Sequence, residues 1–203
     1  MDLNYNYLWP VPIVTSKFHR DLTKEEYDFI LAIKLNRTES NETSKNVHLL
    51  DCPELSNLKF DLNEYLQQYW KDVFDCKQSI VMTNSWVARS QPGEQHHNHE
   101  HLNSIISGVL YVKAEEGAGD LRLIHNGPIY DRMEFNYELN NYNFMNSKSW
   151  SFPMRTGDIV IFPSNITHGV SQNSTERIIL GFNSFVSGVF GGNYISDLTL
   201  EVK

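Results

Sequence analysis

From residue 79 onward the hydrophobic pattern changes from helical to strand periodicity, and this change constrains the fold more than any other feature. Segments rich in Val, Ile, Phe and Trp are separated by Gly, Pro, Asn and Ser, with no helical spacing between them. The predicted strands cover 79–90, 105–113, 120–125, 150–155, 158–163 and 177–186. Short strands without intervening helices favour a sandwich or jelly roll over a parallel βαβ sheet.

The residues before this region indicate a helical and extended support. Thr23, followed by acidic residues, is typical of a helix N-terminus, and apolar spacing predicts helices over 23–35 and 54–74. Residues 10–14 predict an edge strand, and the polar stretch 36–46 predicts a surface loop. We therefore expect a single mainly β (α+β) domain over 1–203. Its expected parts are a support (1–78), a β core (79–186) and a C-terminal tail (187–203).

Charge and cysteine content exclude several classes of protein. The chain has 17 Lys and Arg against 25 Asp and Glu, a net charge of −8, which argues against nucleic acid or an anionic membrane as partner. Two cysteines are too few for a disulfide scaffold. Neither a long apolar run nor a signal-peptide pattern is present, so we expect a cytoplasmic protein.

Four of the eight histidines lie within residues 96–101. On a strand, residues i and i+2 share a face, so His97, His99 and His101 would lie together. The opposite face would carry three other residues: His96, Asn98 and Glu100. Same-side Cβ atoms lie about 6–7 Å apart, close enough for two imidazoles to bind one metal ion. His168, after a buried-looking strand, is the predicted partner from elsewhere in the chain.

Arg177 begins the apolar strand Arg-Ile-Ile-Leu-Gly-Phe-Asn, nine residues after His168. A cation buried at this position is costly unless it meets an anion. Because guanidinium geometry matches a carboxylate, the position predicts binding of a carboxylate ligand. A salt bridge within the protein is the alternative.

Together these residues form a pattern that resembles the iron(II)/2-oxoglutarate-dependent oxygenases. More narrowly, it is similar to a 2OG-Fe(II) oxygenase family met in marine bacteria and tailed phages. A short Pro-x-Pro-Ile segment from Pro10 to Ile13 matches weakly. The specific motif residues are His99, His101, Ser107, Gly108, Val109, Tyr111, Gly157, Asp158, Val160, Phe162, Pro163, His168 and Arg177.

The resemblance implies a double-stranded β-helix (a cupin-like jelly roll) with a metal at its open end. His99 and His168 take the places of the family's two histidine ligands, and Arg177 that of the residue binding the distal carboxylate of 2-oxoglutarate. Tyr111 and Asn183 lie where supporting contacts to 2-oxoglutarate are found in the family.

His101 departs from the wider superfamily, which has Asp or Glu at this position as part of a two-histidine, one-carboxylate site. Three sets of ligands are possible. In the first, His101 itself is a ligand. In the second, Glu100 supplies the carboxylate, and in the third the two neighbouring ligands are His97 and His99. The spacing from His101 to Ser107 and Gly108 agrees with that of the narrower family, and this resemblance favours His99, His101 and His168.

The implied reaction uses Fe(II), 2-oxoglutarate and O₂, converts 2-oxoglutarate to succinate, and hydroxylates an unidentified small molecule or protein side chain. Residues 126–149 would form a lid over the substrate or cover a sheet edge. The expected apolar wall of the barrel consists of Val109, Val160, Phe162, Ile178 and Leu180.

Two other functions stay open at this point: a cupin-like three-histidine enzyme that does not use 2-oxoglutarate, and a non-catalytic jelly-roll protein that binds a partner or associates with virions. A homodimer also stays open. If the chain is phage-encoded, the host cytoplasm is its expected location.

Overall fold

A computed structural model describes residues 1, 3–4, 10–125, 140–191 and 199–202. It contains two α-helices and twelve β-strands in these ranges. In chain order they are β1 (Val14–Lys17), α1 (Lys24–Ala32), β2 (Leu35–Arg37), β3 (Glu42–Ser44), α2 (Ser56–Val73), β4 (Ser79–Ser90), β5 (His96–His99), β6 (Ile106–Ala114), β7 (Leu121–Ile124), β8 (Ser149–Phe152), β9 (Asp158–Pro163), β10 (Thr167–Val170), β11 (Arg177–Phe190) and β12 (Leu200–Val202). Two 3₁₀ turns, Leu49–Asp51 and Pro53–Leu55, precede α2.

The strands form two antiparallel sheets. The larger has the order β1-β9-β6-β11-β4-β3-β2, with β12 on β11, and the smaller has the order β5-β10-β7-β8. From β4 to β11 the chain passes repeatedly from one sheet to the other, so strands that are neighbours in space are distant in sequence. This is the connectivity of a jelly roll, and the predicted double-stranded β-helix is confirmed.

Each face of the larger sheet packs into its own apolar cluster. Its outer face packs against α2, whose buried residues are those predicted from the helical spacing: Leu58, Leu62, Leu66, Tyr69 and Trp70. Its inner face packs against the smaller sheet through Val109, Tyr111, Val160 and Phe162. The site described below lies on this inner face.

The predicted apolar wall is wrong at two of its five residues. Val109, Val160 and Phe162 line the inner face, but Ile178 and Leu180 belong to the outer cluster with the helices. Strand β11 is apolar on both faces, so its composition does not reveal which residues point inward. Alternation from Arg177 puts Ile179 on the inner face instead.

The predicted loop over 36–46 is also wrong in part, because β2 and β3 form a hairpin there. Its turn is closed by a 2.7 Å hydrogen bond from the Thr38 backbone N–H to the Asn41 carbonyl, and β3 extends the larger sheet by pairing with β4. The hairpin is polar because it lies at a sheet edge, so it lacks the apolar alternation that identifies a strand. The predicted N-terminal edge strand is present as β1, four residues later than expected.

Most of the predicted lid, residues 126–139, lies outside the described residues. The part that is described, 140–149, leads into β8, and Phe144 packs against Trp150 with ring centroids 4.4 Å apart. No helix in the described ranges is both long and apolar enough to cross a bilayer.

Candidate metal centre

Pairing between β5 and β10 brings the histidine cluster to His168. The Cα atoms of His99 and His168 are direct cross-strand partners, and the next pair is His96 with Val170. Between these pairs, two residues of β5 therefore oppose one residue of β10, which is a β-bulge. His101 follows β5 and is held near its end by a 3.0 Å hydrogen bond from its backbone N–H to the Ser164 carbonyl.

His99, His101 and His168 converge. Each offers one ring nitrogen, and these nitrogens lie within 4.8 Å of one another. The Nε2 atoms of His99 and His101 are 3.3 Å apart, and the ring centroids of His99 and His168 are 4.3 Å apart. The three predicted ligand positions are therefore together in the fold, with spacing that suits one metal ion.

The opposite ring nitrogens of the three histidines are engaged by oxygen acceptors. His99 Nδ1 donates to the His97 carbonyl and His168 Nδ1 donates to the Ile166 carbonyl, each at 2.9 Å. A carbonyl can only accept, so the proton sits on Nδ1 and the Nε2 lone pair is free. Metal-binding histidines in proteins are oriented in this way.

His101 is oriented by side chains instead of the backbone. Its Nδ1 lies 2.7 Å from Ser107 Oγ and 2.8 Å from Asn183 Oδ1, and the Ser107 hydroxyl donates to the same Asn183 oxygen at 2.7 Å. The amide oxygen accepts the Nδ1 proton, which again directs Nε2 toward the other histidines. Asn183, predicted as a contact to 2-oxoglutarate, thus contacts His101 in this structure.

The environment keeps these imidazoles neutral at pH 7. Burial lowers the pKa of His101 to about 4, with a smaller contribution from the charge of His99. Burial likewise lowers the pKa of His168 to about 3 and lowers the pKa of His99. The neutral ring is the form that binds a metal.

The prediction that His96 lies on the face opposite His99 is wrong. His96 lines the same cavity as the three converging histidines, and its ring stacks on His99 with centroids 4.5 Å apart. The bulge explains this, because an extra residue between His96 and His99 restores both to one face. His97 is exposed, with Nδ1 3.5 Å from Ser40 Oγ. His96, His97 and His99 nevertheless form a second group of potential ligands.

Glu100, the carboxylate alternative, points elsewhere. Its carboxylate accepts a hydrogen bond from the Thr167 hydroxyl, and its side chain is exposed. In the described ranges, both groups of potential metal ligands consist of histidines alone.

Arg177 is 3% exposed and lies in the same cavity, whose volume is about 50 Å³. Its guanidinium donates to the Ala118 carbonyl at 2.7 Å and to Ser90 Oγ at 2.9 Å. Burial lowers its pKa, and no carboxylate from the described residues lies within 4.0 Å of it. The charge of Glu94 acts on it only from beyond contact distance, so this buried cation fits an anionic ligand.

The remaining cavity wall is mainly apolar, and Tyr111, which is 2% exposed, is part of it. The other lining residues are Asn41, Trp86, Ala88, Ser90, Val109, Leu121, Gly169, Val170 and Ile179. Sequence reasoning missed Asn41, Ser90 and His96. Asn41 and Ser90 carry no motif signal, since they reach the cavity only through strand pairing.

The model of a family described as "Putative 2OG-Fe(II) oxygenase" matches residues 84–183, which include every cavity residue except Asn41. The chain belongs to the iron(II)/2-oxoglutarate-dependent oxygenases. It is therefore an oxygenase, and its cofactors are Fe(II), 2-oxoglutarate and O₂. The three neutral imidazoles and the buried Arg177, which is in contact with no carboxylate from the described residues, fit a divalent metal and a dicarboxylate. Occurrence in marine bacteria and tailed phages stays a prediction.

Solved structures share the fold of this oxygenase at low sequence identity. An oxidoreductase of the 2OG-Fe(II) oxygenase family from Burkholderia pseudomallei has a TM-score of 0.60 and 11% identity, covering 85% of this chain and 83% of that one. HygX from Streptomyces hygroscopicus, with nickel, 2-oxoglutarate and hygromycin B bound, has a TM-score of 0.58 and 11% identity, covering 86% and 82%. A Pseudomonas putida prolyl-4-hydroxylase has a TM-score of 0.56 and 14% identity, covering 85% and 92%. Among curated proteins, none matches the chain in sequence.

Proposed function

We propose that this oxygenase is a hydroxylase in which His99, His101 and His168 hold iron(II) and Arg177 pairs with the distal carboxylate of 2-oxoglutarate. The observation that carries the proposal is the convergence of one ring nitrogen from each of three histidines, each with its Nδ1 proton held by an oxygen, in one cavity with a buried arginine. Hydroxylation is supported by the fold shared with a prolyl hydroxylase.

When bound, the iron, 2-oxoglutarate and dioxygen supply an oxidative decarboxylation that yields succinate and carbon dioxide and oxidises a C–H bond. The protein's own part is to bind and orient. His99, His101 and His168 would hold the iron, and a site with three protein ligands would stay open to the co-substrates. Arg177 fixes the far end of 2-oxoglutarate, and the apolar wall that includes Val109 and Ile179 limits the entry of water.

For the substrate, we propose a small molecule or a peptide side chain. The net charge of −8 argues against nucleic acid, since binding to phosphates depends on clustered Lys and Arg. HygX was solved with hygromycin B, and a prolyl hydroxylase from Trichoplax adhaerens, at 12% identity, was solved with a peptide fragment. Both classes are therefore compatible with the fold.

An anaerobic titration tests the proposal directly. Addition of 2-oxoglutarate to the iron(II)-loaded protein should produce a weak visible charge-transfer band, and admission of air should then release succinate. Arg177→Ala should weaken 2-oxoglutarate binding by roughly tenfold or more, as expected for a lost buried charge pair. Arg122→Ala, at an exposed position on β7, is the matched control and should keep the wild-type affinity.

Iron binding without the band or succinate would contradict a role for 2-oxoglutarate. Succinate release together with a product other than an alcohol, identified by mass spectrometry on the true substrate, would contradict hydroxylation. It would leave the role of 2-oxoglutarate intact.

A further inference from the structure

Asn41 carries a buried donor without a partner. The residue is 2% exposed, lies in the turn between β2 and β3, and lines the cavity that holds the histidines and Arg177. Its side-chain Nδ2 is buried and makes no hydrogen bond with the described residues. Buried amide groups are nearly always paired, so an unpaired one facing a cavity indicates a ligand atom that the protein alone does not supply.

The rest of Asn41 is fixed by the turn, which leaves Nδ2 as the free group. The Thr38 hydroxyl lies 2.8 Å from Asn41 Oδ1 and 2.9 Å from the Asn41 carbonyl. The Asn41 backbone N–H donates to Thr38 Oγ1 at 3.2 Å, and the Thr43 hydroxyl donates to Oδ1 at 3.4 Å. With hydroxyl donors on Oδ1, the amide presents its N–H groups away from the turn.

Strand pairing places Asn41 in a row with Arg177. Glu42 and Thr43 pair with Arg89 and Ala88, so the continued register sets Asn41 beside Ser90, and Ser90 is the cross-strand partner of Arg177. Neighbouring strands are about 4.8 Å apart, so Asn41 and Arg177 lie on either side of Ser90 within about 10 Å. The Arg177 guanidinium bridges part of that gap by donating to Ser90 Oγ.

A carboxylate can accept hydrogen bonds from all three side chains in this row: Asn41, Ser90 and Arg177. It has about four acceptor positions, and Arg177 uses two of its guanidinium nitrogens on the protein and keeps further N–H donors free. An uncharged ligand would leave the buried Arg177 guanidinium without a carboxylate in contact. Asn183, which contacts His101, lies further along β11 from Arg177, so the row is at the other end of the cavity, where the far end of a ligand anchored at the histidines would lie.

We propose that Asn41 Nδ2 donates a hydrogen bond to the distal carboxylate of 2-oxoglutarate and helps the enzyme select a dicarboxylate co-substrate. This inference rests on the proposed function, since it assumes that 2-oxoglutarate binds with its far carboxylate at Arg177. The residue comes from a hairpin outside the segment that matches the family model.

The test is calorimetric binding to nickel-loaded protein, which avoids turnover. Two ligands are compared: 2-oxoglutarate and 2-oxopentanoate, which has the same chain length and a methyl group in place of the distal carboxylate. In Asn41→Asp the turn-facing oxygen is kept and the donor becomes a second carboxylate oxygen. We expect this variant to bind 2-oxoglutarate at least about tenfold to a hundredfold more weakly, because the hydrogen bond is lost and a negative charge faces the distal carboxylate, and 2-oxopentanoate with unchanged affinity. Asn41→Ala removes the donor without adding charge and should also lose affinity for 2-oxoglutarate alone.

Asn36→Asp is the matched control, because it makes the same change at an exposed position of the same hairpin and should bind both ligands like the wild type. If Asn41→Asp does not fold, Asn41→Ala and a crystal structure of the wild type with nickel and 2-oxoglutarate give the answer. That structure should place Nδ2 within hydrogen-bond distance of the distal carboxylate.

Wild-type affinity in a folded Asn41 variant, equal losses for both ligands, or an Nδ2 atom beyond hydrogen-bond reach would overturn the role of Asn41. Failure of the wild type itself to bind 2-oxoglutarate would instead overturn the proposed function, and the role of Asn41 with it.

Discussion

At the scale of single residues, the candidate metal centre differs from the superfamily's usual set by having no carboxylate. As the proposed iron ligands, three neutral imidazoles would leave the full +2 charge of the iron uncompensated, and Arg177 would add one more positive charge nearby. A dianionic ligand offsets most of this charge, so the donor set and the buried arginine favour the same kind of co-substrate.

The third ligand position can be tested with three alanine variants. His101→Ala should weaken iron(II) binding by at least about 10–100-fold, since losses of that size follow even from removing a partner that only orients a ligand. Glu100→Ala and His97→Ala, both at exposed neighbouring positions, should keep the metal. Metal content after anaerobic dialysis is the measurement. Loss of metal in Glu100→Ala with retention in His101→Ala would assign the site to the carboxylate.

Residue types and spacing are enough to identify the histidines and Arg177 as candidates, because few side chains bind metals or carboxylates. The orienting contacts could not be predicted in the same way. Asn183 lies 82 residues from His101 in sequence, and its 2.8 Å contact exists only because β11 and β6 pair in one register.

At the scale of elements, the centre of the larger sheet depends on a glycine and an aromatic ring. Gly108 on β6 is the direct cross-strand partner of Phe182 on β11, and the ring covers the position where a side chain would be. A Cβ atom at Gly108 would lie 2.0 Å from Phe182 Cζ, so only glycine fits there without movement.

Gly108→Ala should therefore destabilise the fold by about 1–3 kcal/mol, the cost typical of overpacking a core. Combining it with Phe182→Leu should recover part of that loss, because the smaller side chain leaves room for the new methyl group. Urea unfolding of the two single variants and the double variant measures the coupling. Strictly additive losses would show that the close approach to Phe182 is not the cause.

Helices and strands that carry a capping residue, a turn glycine or a clear apolar pattern were predicted well. Elements without such a sequence signal were missed. Thr23 caps α1 as expected, with a reciprocal pair of hydrogen bonds between Thr23 and Glu26. Strand β9 has the predicted bounds, and Gly157 forms the expected tight turn before it, with a φ of +80°. The hairpin of β2 and β3 was missed because pairing with β4, rather than its own pattern, makes it extended.

At the scale of the whole molecule, the cavity lies between the two sheets, with residues from six strands, the turn before β3 and the segment after β5 around it. A ligand that contacts several of these elements stabilises the folded state by mass action, since the unfolded chain does not assemble them. At a concentration 100 times its dissociation constant, one ligand contributes about 2.7 kcal/mol.

Nickel and 2-oxoglutarate should thus each raise the melting temperature of the wild type by about 5–10 °C at such concentrations, and by about 10–20 °C together. A chelator should reverse the whole effect. In Arg177→Ala the increase due to nickel should persist while the increase due to 2-oxoglutarate falls to about half or less, as measured by thermal unfolding of each variant with and without each ligand. Equal stabilisation of Arg177→Ala and wild type by 2-oxoglutarate would contradict the assigned position of the ligand.

The sequence by itself determined the fold class, the helix faces and the chemical types at the site, because hydrophobic period, capping residues and metal-binding side chains are local signals. Only the tertiary structure decided which faces of the two-sided strand β11 point inward, that a bulge in β5 turns His96 toward His99, and that Asn41 reaches the cavity. These features depend on register between strands that are distant in the chain, and register is set by packing across the sheets rather than by any single segment.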